Sequence, residues 1–199
     1  MARLDWSEMT KGNTKSDGIG WVAGPYVAAK LSEQLYFDAS LLAGQSYNNI
    51  SPFGTYTDQF QTDRLQGHAK LSGKFDVGQF TIRPQAGVVV SREVQNAYTD
   101  GMGNDVAAQT FAKGTLTLGP AVAYLIKGEG VDYTPNVGLF GNWNFLSSGG
   151  GTAFNARVEG GIDLSFEGGA SFNAKAFYGG IGSTTVAYGG RLGLTVPLN

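Results

Sequence analysis

No cysteine occurs among the 199 residues. That excludes a disulfide framework and thiolate metal sites. Histidine is almost as scarce, with His68 alone, so no histidine cluster can hold a transition metal. Charged residues make up 15% of the chain, below the roughly 25% of ordinary soluble domains. Long apolar runs are missing too. No stretch nears the roughly 18 apolar residues that a spanning helix requires, and mean hydropathy is −0.11. The N-terminal residues carry no apolar core of a signal peptide, as expected of a mature or truncated form. A net charge of −2 leaves no nucleic-acid footprint. Nucleotide motifs are lacking as well. Gly101-Met102-Gly103 and Gly180-Ile181-Gly182 open no strand-to-helix turn, so no cofactor is expected.

What the chain does have is glycine, at 31 residues, and a period of two. From Phe154 to Phe166 every even position is apolar or glycine, and every odd position from Asn155 to Ser165 is polar or glycine. Successive side chains of a strand point to opposite faces, so this is the pattern of a strand with two unlike faces. Ten such segments are expected, at 2–9, 18–31, 35–46, 64–75, 80–91, 110–126, 133–145, 154–166, 171–178 and 186–198. Connections alternate in length. The short ones are 32–34, 76–79, 127–132 and 167–170, and the long ones are 10–17, 47–63, 93–109, 146–153 and 179–185. Pro25, Pro84, Pro120 and Pro135 fall inside the segments and predict bulges or rims there.

The charges share the face opposite the bulky apolar residues. A charged inside and an apolar outside invert the order of a water-soluble protein. They fit a single domain, 1–199, forming an all-β, closed, antiparallel up-and-down transmembrane β-barrel of about ten strands. Lipid cannot satisfy backbone polar groups, so such a sheet must close. Residues 3–6 are therefore expected to pair with residues 192–196; open edges would demand a second chain. An even strand number places both termini on one side, the periplasmic one, with long loops outside. Trp6, Trp21, Tyr124, Tyr133, Trp143, Phe145 and Tyr188 lie toward strand ends, as aromatic girdles do.

On this reading Arg3, Asp5, Lys30, Asp38, Arg64, His68, Lys70, Lys74, Arg83, Lys113, Arg157, Glu159, Asp163, Lys175 and Arg191 line the lumen. Leu65, Leu71, Ile82, Val88, Leu139, Val158, Ile162, Leu164, Leu192, Leu194 and Val196 face lipid. The lumen is expected to be cationic, and the surplus acid to sit in loops and strand ends, at Asp58, Asp63, Glu93, Asp100 and Asp105. A dry core could not hold so many ions, because each costs several kcal/mol to bury. The reverse arrangement, a soluble barrel with its charges outside, leaves a core underfilled by glycine and alanine.

No catalytic residues are expected. An outer-membrane hydrolase would have to use His68. Ser72 lies four residues away, roughly 13 Å along a strand, which is too far for a base to reach a nucleophile. Residues 100–105 hold carboxylates that could meet calcium, but a glycine-rich turn explains them as well, and no metal site is expected.

Several stretches resemble the translocator domain of autotransporters (type V secretion) from alphaproteobacteria. They are Gly20-Trp21-Val22-Ala23-Gly24-Pro25-Tyr26-Val27-Ala28-Ala29-Lys30-Leu31, Leu35-Tyr36-Phe37-Asp38-Ala39, Ser51-Pro52-Phe53-Gly54-Thr55-Tyr56-Thr57-Asp58, Leu118-Gly119-Pro120, and the ending Tyr178-Gly179-Gly180-Ile181-Gly182-Ser183 with Val196-Pro197-Leu198-Asn199, where Leu198 closes the apolar alternation of the last strand. The resemblance covers essentially the whole chain. It implies a twelve-stranded barrel in the bacterial outer membrane, threaded by a helix that links to a secreted passenger polypeptide. It also implies outer-membrane assembly machinery as a partner, acting through the last strand, with the lipid bilayer or detergent around the wall. The chain starts at what would be the family's third strand, without passenger or linker helix, and ends on Asn199 rather than an aromatic. A small passive pore, or an adhesion barrel acting through its loops, is the alternative.

Overall fold

The computed structural model describes residues 2–197. The expected roles of the Asp5 side chain and of Leu198 fall outside the described atoms. The fold is all-β and antiparallel, with a single turn of 3-10 helix at Pro52–Gly54.

One continuous path of hydrogen-bonded strands runs in chain order. It comprises β1 (Ala2–Lys11), β2 (Thr14–Ala23), β4 (Leu35–Ser51), β5 (Asp58–Gly73), β7 (Phe80–Gln95), β10 (Gln109–Tyr124), β12 (Val131–Ser147), β13 (Phe154–Phe166), β14 (Ser171–Ile181) and β15 (Ala187–Thr195). Three short pieces continue these strands past interruptions: β3 (Tyr26–Lys30), β6 (Phe75–Val77) and β11 (Ile126–Lys127). A separate hairpin, β8 (Tyr98–Thr99) with β9 (Asp105–Val106), stands in a loop. The expected count of about ten strands is thus corrected to fifteen segments among the described residues. The β2–β3 break falls at Gly24-Pro25, where proline has no N–H to give the ladder.

Closure is corrected as well. No backbone pairing joins β1 to β15 among the described residues. The ten strands of the path therefore form an open sheet among the described residues. Both edge strands stay uncovered, and Leu4, Trp6, Tyr188, Leu192 and Leu194 are 68–80% exposed.

The sheet has a clear inside. The buried non-glycine residues are Val22, Leu42, Ser46, Asp58, Thr62, Ala123 and Phe140. Register places all of them on one face, the face that carries Lys70, Arg83 and Arg157. A face that shields its side chains on a single sheet is the concave one. The opposite, convex face carries the exposed apolar residues, from Leu41 and Leu65 round to Leu139 and Val158.

The long connections are shorter than expected. The segment 10–17 is a two-residue turn at Gly12-Asn13, with Gly12 at φ 61°, a conformation that glycine adopts freely. The expected loop 47–63 is mostly strand, since β4 runs on to Ser51 and β5 starts at Asp58. Bulges also fall elsewhere than at the prolines. Register shifts occur at Gly114/Thr115 and at Ala156/Arg157. Pro84 and Pro120 instead face each other in unbroken register, so their missing donors fall at one level of the sheet.

Candidate functional site: the concave face

Strand alternation delivers the charges to the concave face, and cross-strand register groups them. Asp38 pairs with Lys70, Arg64 with Glu93, Phe140 with Arg157, and Lys175 with Arg191. Arg3 stands opposite Val22 and Lys113 opposite Ser91 on the same face. Lys30, Lys74 and Asp163 share it too. The turn ends of the strands hold Lys30 and Lys74, and the loop end holds Lys113, so these do not join the central group.

The central group sits around a small polar cavity of about 170 Å³, lined by Arg83, Gln85, Asn136, Phe140, Glu159 and Lys175, among others. Arg157 Nη2 meets Glu159 Oε1 at 2.7 Å. The Arg157 guanidinium also lies 5.2 Å from the centroid of the Phe140 ring, within cation–π range. Lys175 and Arg191 face each other directly, a like-charge pair that needs a nearby carboxylate; Glu159 lines the same cavity as Lys175.

Beside the ion pairs runs a ladder of hydroxyls and amides that ends on the Asp163 carboxylate. The Thr117 hydroxyl donates to Asn142 Oδ1 (2.8 Å), and Asn142 Nδ2 donates to Asn155 Oδ1 (2.9 Å). Thr115 donates to Asn144 Oδ1 (2.9 Å), and Asn136 Nδ2 donates to Asp163 Oδ2 (3.1 Å). Among the described residues, Asp38 Oδ2, Arg157 Nε and Asn173 Oδ1 are buried with no protein hydrogen-bond partner.

His68 does not meet Ser72. Its Nε2 lies 3.6 Å from Asp38 Oδ2, a neighbour that spacing along one strand does not reveal. Two acidic residues expected in loops or strand ends do lie toward strand ends, but on the concave face. Glu93 sits within β7 and holds Arg64 Nε at 3.1 Å. Asp58 starts β5 and is 6% exposed. The concave face therefore holds more acid than the sequence count assigns to it. Asp63 is on the convex face, where Gln45 Nε2 donates to it at 2.9 Å. Phe140 is the residue that sequence reading missed. Its signal was there: it occupies the polar phase of β12, between Gly138 and Asn142.

Asp58 also anchors the loop at 96–108. Its Oδ1 accepts the Gly101 N–H at 2.8 Å. Tyr98 stacks on Phe60 at 5.5 Å, and Asn96 N–H donates to the Gln61 carbonyl at 2.9 Å. Asp58 and Phe60 both belong to the concave phase of β5, so the loop leans inward over that face. Within it, Asp100 accepts from Asn104 and Met102. The Asn104 side chain, with these backbone N–H groups, holds the Asp100 carboxyl below its usual range. Desolvation, with Asp100 and Asp58 nearby, raises the Tyr56 phenol; the same groups raise Tyr98.

The convex face carries aromatic clusters at two levels. Trp143 packs with Phe145 and Phe154 (5.8 and 6.1 Å) toward the loop end, and Phe80 packs with Tyr124 (4.8 Å) toward the turns. Leu65, Leu71, Ile82, Val88, Leu139, Val158, Ile162, Leu164, Leu192 and Leu194 all lie in the convex phase of their strands. Val196 lies just past the end of β15.

The chain covers 99% of itself and 82% of the beta domain of the Bordetella autotransporter BrkA, at TM-score 0.73 and 18% identity. It covers 93% of itself and 68% of the transport unit of the autotransporter AIDA-I from Escherichia coli (TM-score 0.68, 14% identity). For the translocator domain of autotransporter NalP from Neisseria meningitidis the figures are 97% and 73% (TM-score 0.63, 14% identity). No curated protein matches the chain. The family model described as Autotransporter beta-domain matches residues 2–177. That match spans most of the sequence, and the chain belongs to the autotransporter beta-domain family.

Proposed function

We propose that this chain is a non-enzymatic outer-membrane translocator wall, whose concave face lines a wet, net-basic bore for passage or anchoring of a passenger polypeptide. One observation carries the reading: charges and burial share the concave face, while bulky apolar side chains are exposed on the convex one. In water that arrangement would be costly; in a bilayer it is the stable one. The convex apolar run on β7 goes from Phe80 to Val90. Ten residues rise about 33 Å along a strand, which at a tilt near 40° gives a band about 25 Å tall. That matches the apolar belt of outer-membrane barrels, and the two aromatic clusters fall near its margins.

The buried atoms of Asp38, Arg157 and Asn173 that lack a protein hydrogen bond support a bore that admits water, since buried polar groups find hydrogen-bond partners in protein or solvent. The open β1 and β15 edges call for further strands to close the wall, as lipid tolerates no unpaired ladder. Two more would reach the twelve that the family resemblance implies.

The loop at 96–108 acts as a lid on the extracellular mouth. Asp58→Ala removes a charge-assisted bond worth about 1.5–3 kcal/mol, so the lid should detach and single-channel conductance in a planar bilayer should rise. Anion selectivity is expected for the net-basic bore. Unchanged conductance in Asp58→Ala, or cation selectivity in the parent, would contradict the lid and the bore respectively. The lid also has a pH window. Asp100 is lowered in the folded state, so its contribution holds above the usual carboxylate range and is lost as pH falls through the lowered value. Tyr56 and Tyr98 are raised, so theirs is complete below the ordinary phenol value of 10.0 and is lost as pH climbs beyond it. Conductance should therefore be lowest between those limits.

A further inference from the structure

We propose that the convex face of β1, β2, β4 and β5, just outside the apolar band, binds a neutral hexopyranose, supplied by the carbohydrate of an outer-leaflet glycolipid. A groove of about 570 Å³ lies there, lined by Trp6, Asp17, Tyr47, Asn49, Gln59 and Gln61, within the usual size of ligand pockets.

Register sorts these residues into two shelves. Trp6, Ile19, Tyr47 and Gln61 stand side by side on successive strands. Glu8, Asp17, Asn49 and Gln59 form the next row outward. Neighbouring strands are about 4.8 Å apart, so Trp6 and Tyr47 stand roughly 10 Å apart with Ile19 between them. That makes an apolar shelf, and the outer row makes a shelf of carboxylates and amides roughly 7 Å further along the strands.

A pyranose has the same division. Its ring C–H groups form an apolar face that stacks on an indole or phenol ring, and its hydroxyls project at the rim. The rings have little protein over them: Trp6 is 68% exposed and Tyr47 54%. The polar row is fixed in advance, because Asn49 Nδ2 donates to Asp17 Oδ2 at 2.8 Å. The remaining acceptor positions of that carboxylate can take sugar hydroxyls as charge-assisted bonds.

Charge excludes a phosphate. Glu8 and Asp17 stand in the row, while Lys15 is one row further out. A neutral sugar meets no such repulsion. Location names the source. Two rows inward, Ala23, Ala43 and Leu65 begin the apolar band, so the groove opens where lipid tails give way to headgroups. That source, though not the sugar chemistry, rests on the outer-membrane reading above.

The test uses the full chain folded in detergent, with Trp21→Phe and Trp143→Phe so that Trp6 is the only tryptophan of the original three. Its emission is followed against three probes: lipopolysaccharide with a hexose-bearing core, lipid A without sugars beyond its own backbone, and methyl glucoside. A saturable shift with the hexose-bearing lipid, tenfold weaker with lipid A, supports the site and its source. Saturation by methyl glucoside with no response to the glycolipid keeps the sugar site but overturns the source. Equal response to lipid A and to the hexose-bearing lipid, or no response to either sugar probe, overturns the proposal. Asp17→Asn should weaken binding about tenfold without altering the heat-modifiable gel shift; should it impair folding, Gln61→Ala serves instead. Unaltered binding in the variant that folds would also overturn it. Loss of the gel shift in the parent would speak against the barrel, separately from the sugar.

Discussion

Phe140→Ala is expected to lower the stability of the folded barrel by about 3 kcal/mol, at the lower end of the range for a buried ring. The ring is 1% exposed, although it lies on the polar face. It rests on the backbone of two glycines. A Cβ added at Gly119 would lie 2.7 Å from Phe140 Cδ1, and one at Gly138 would lie 2.7 Å from Cε2. Arg157 closes the other side. Removing the ring leaves a void next to the existing cavity of about 170 Å³. Polar walls will let water in, which offsets part of the loss and sets the estimate low in the range. Arg157 also loses its aromatic partner, worth about 0.5–1 kcal/mol more. The urea midpoint of the heat-modifiable gel shift reads the effect. A change below about 1 kcal/mol would show that the ring does not support the wall.

Gly119→Ala should cost a comparable amount, about 3 kcal/mol or more, because the collision is with backbone rather than with a movable side chain. The new Cβ would stand 2.0 Å from the Leu139 carbonyl oxygen, so β10 and β12 would have to part. Gly160→Ala is the matched control. Nothing lies nearer than the Asn136 carbonyl at 4.0 Å, and the position is convex. It should be neutral within about 0.5 kcal/mol. Equal effects at both sites would mean that β10 and β12 do not approach as described.

The alternation was legible wherever lipid would touch one face, as in β13, because two different solvents impose two different compositions on one strand. It faded where both faces are wet. Tyr47-Asn48-Asn49-Ile50-Ser51 carries no polarity alternation, so it reads as loop, yet its ladder to Gln59 and Phe60 persists. The face of each charge was legible from phase alone, but partners were not. Asp38 beside His68 and Glu93 beside Arg64 depend on register between strands, which one strand's pattern does not contain. Phe140 broke the phase and was passed over, because one misplaced aromatic looks like noise until the glycines across from it are seen. Closure depends on curvature, a property of the whole sheet that no local segment encodes.

Site-directed spin labelling along β13 tests the central claim most directly, because a chain without cysteine accepts single labels cleanly. In bilayers, labels at Val158, Ile162 and Leu164 should collide with dissolved oxygen and be shielded from a water-soluble relaxer. Labels at Glu159, Gly161 and Asp163 should do the opposite, giving a period of two along the strand. Reversed phases, or water access at every position, would contradict a polar concave bore inside an apolar wall.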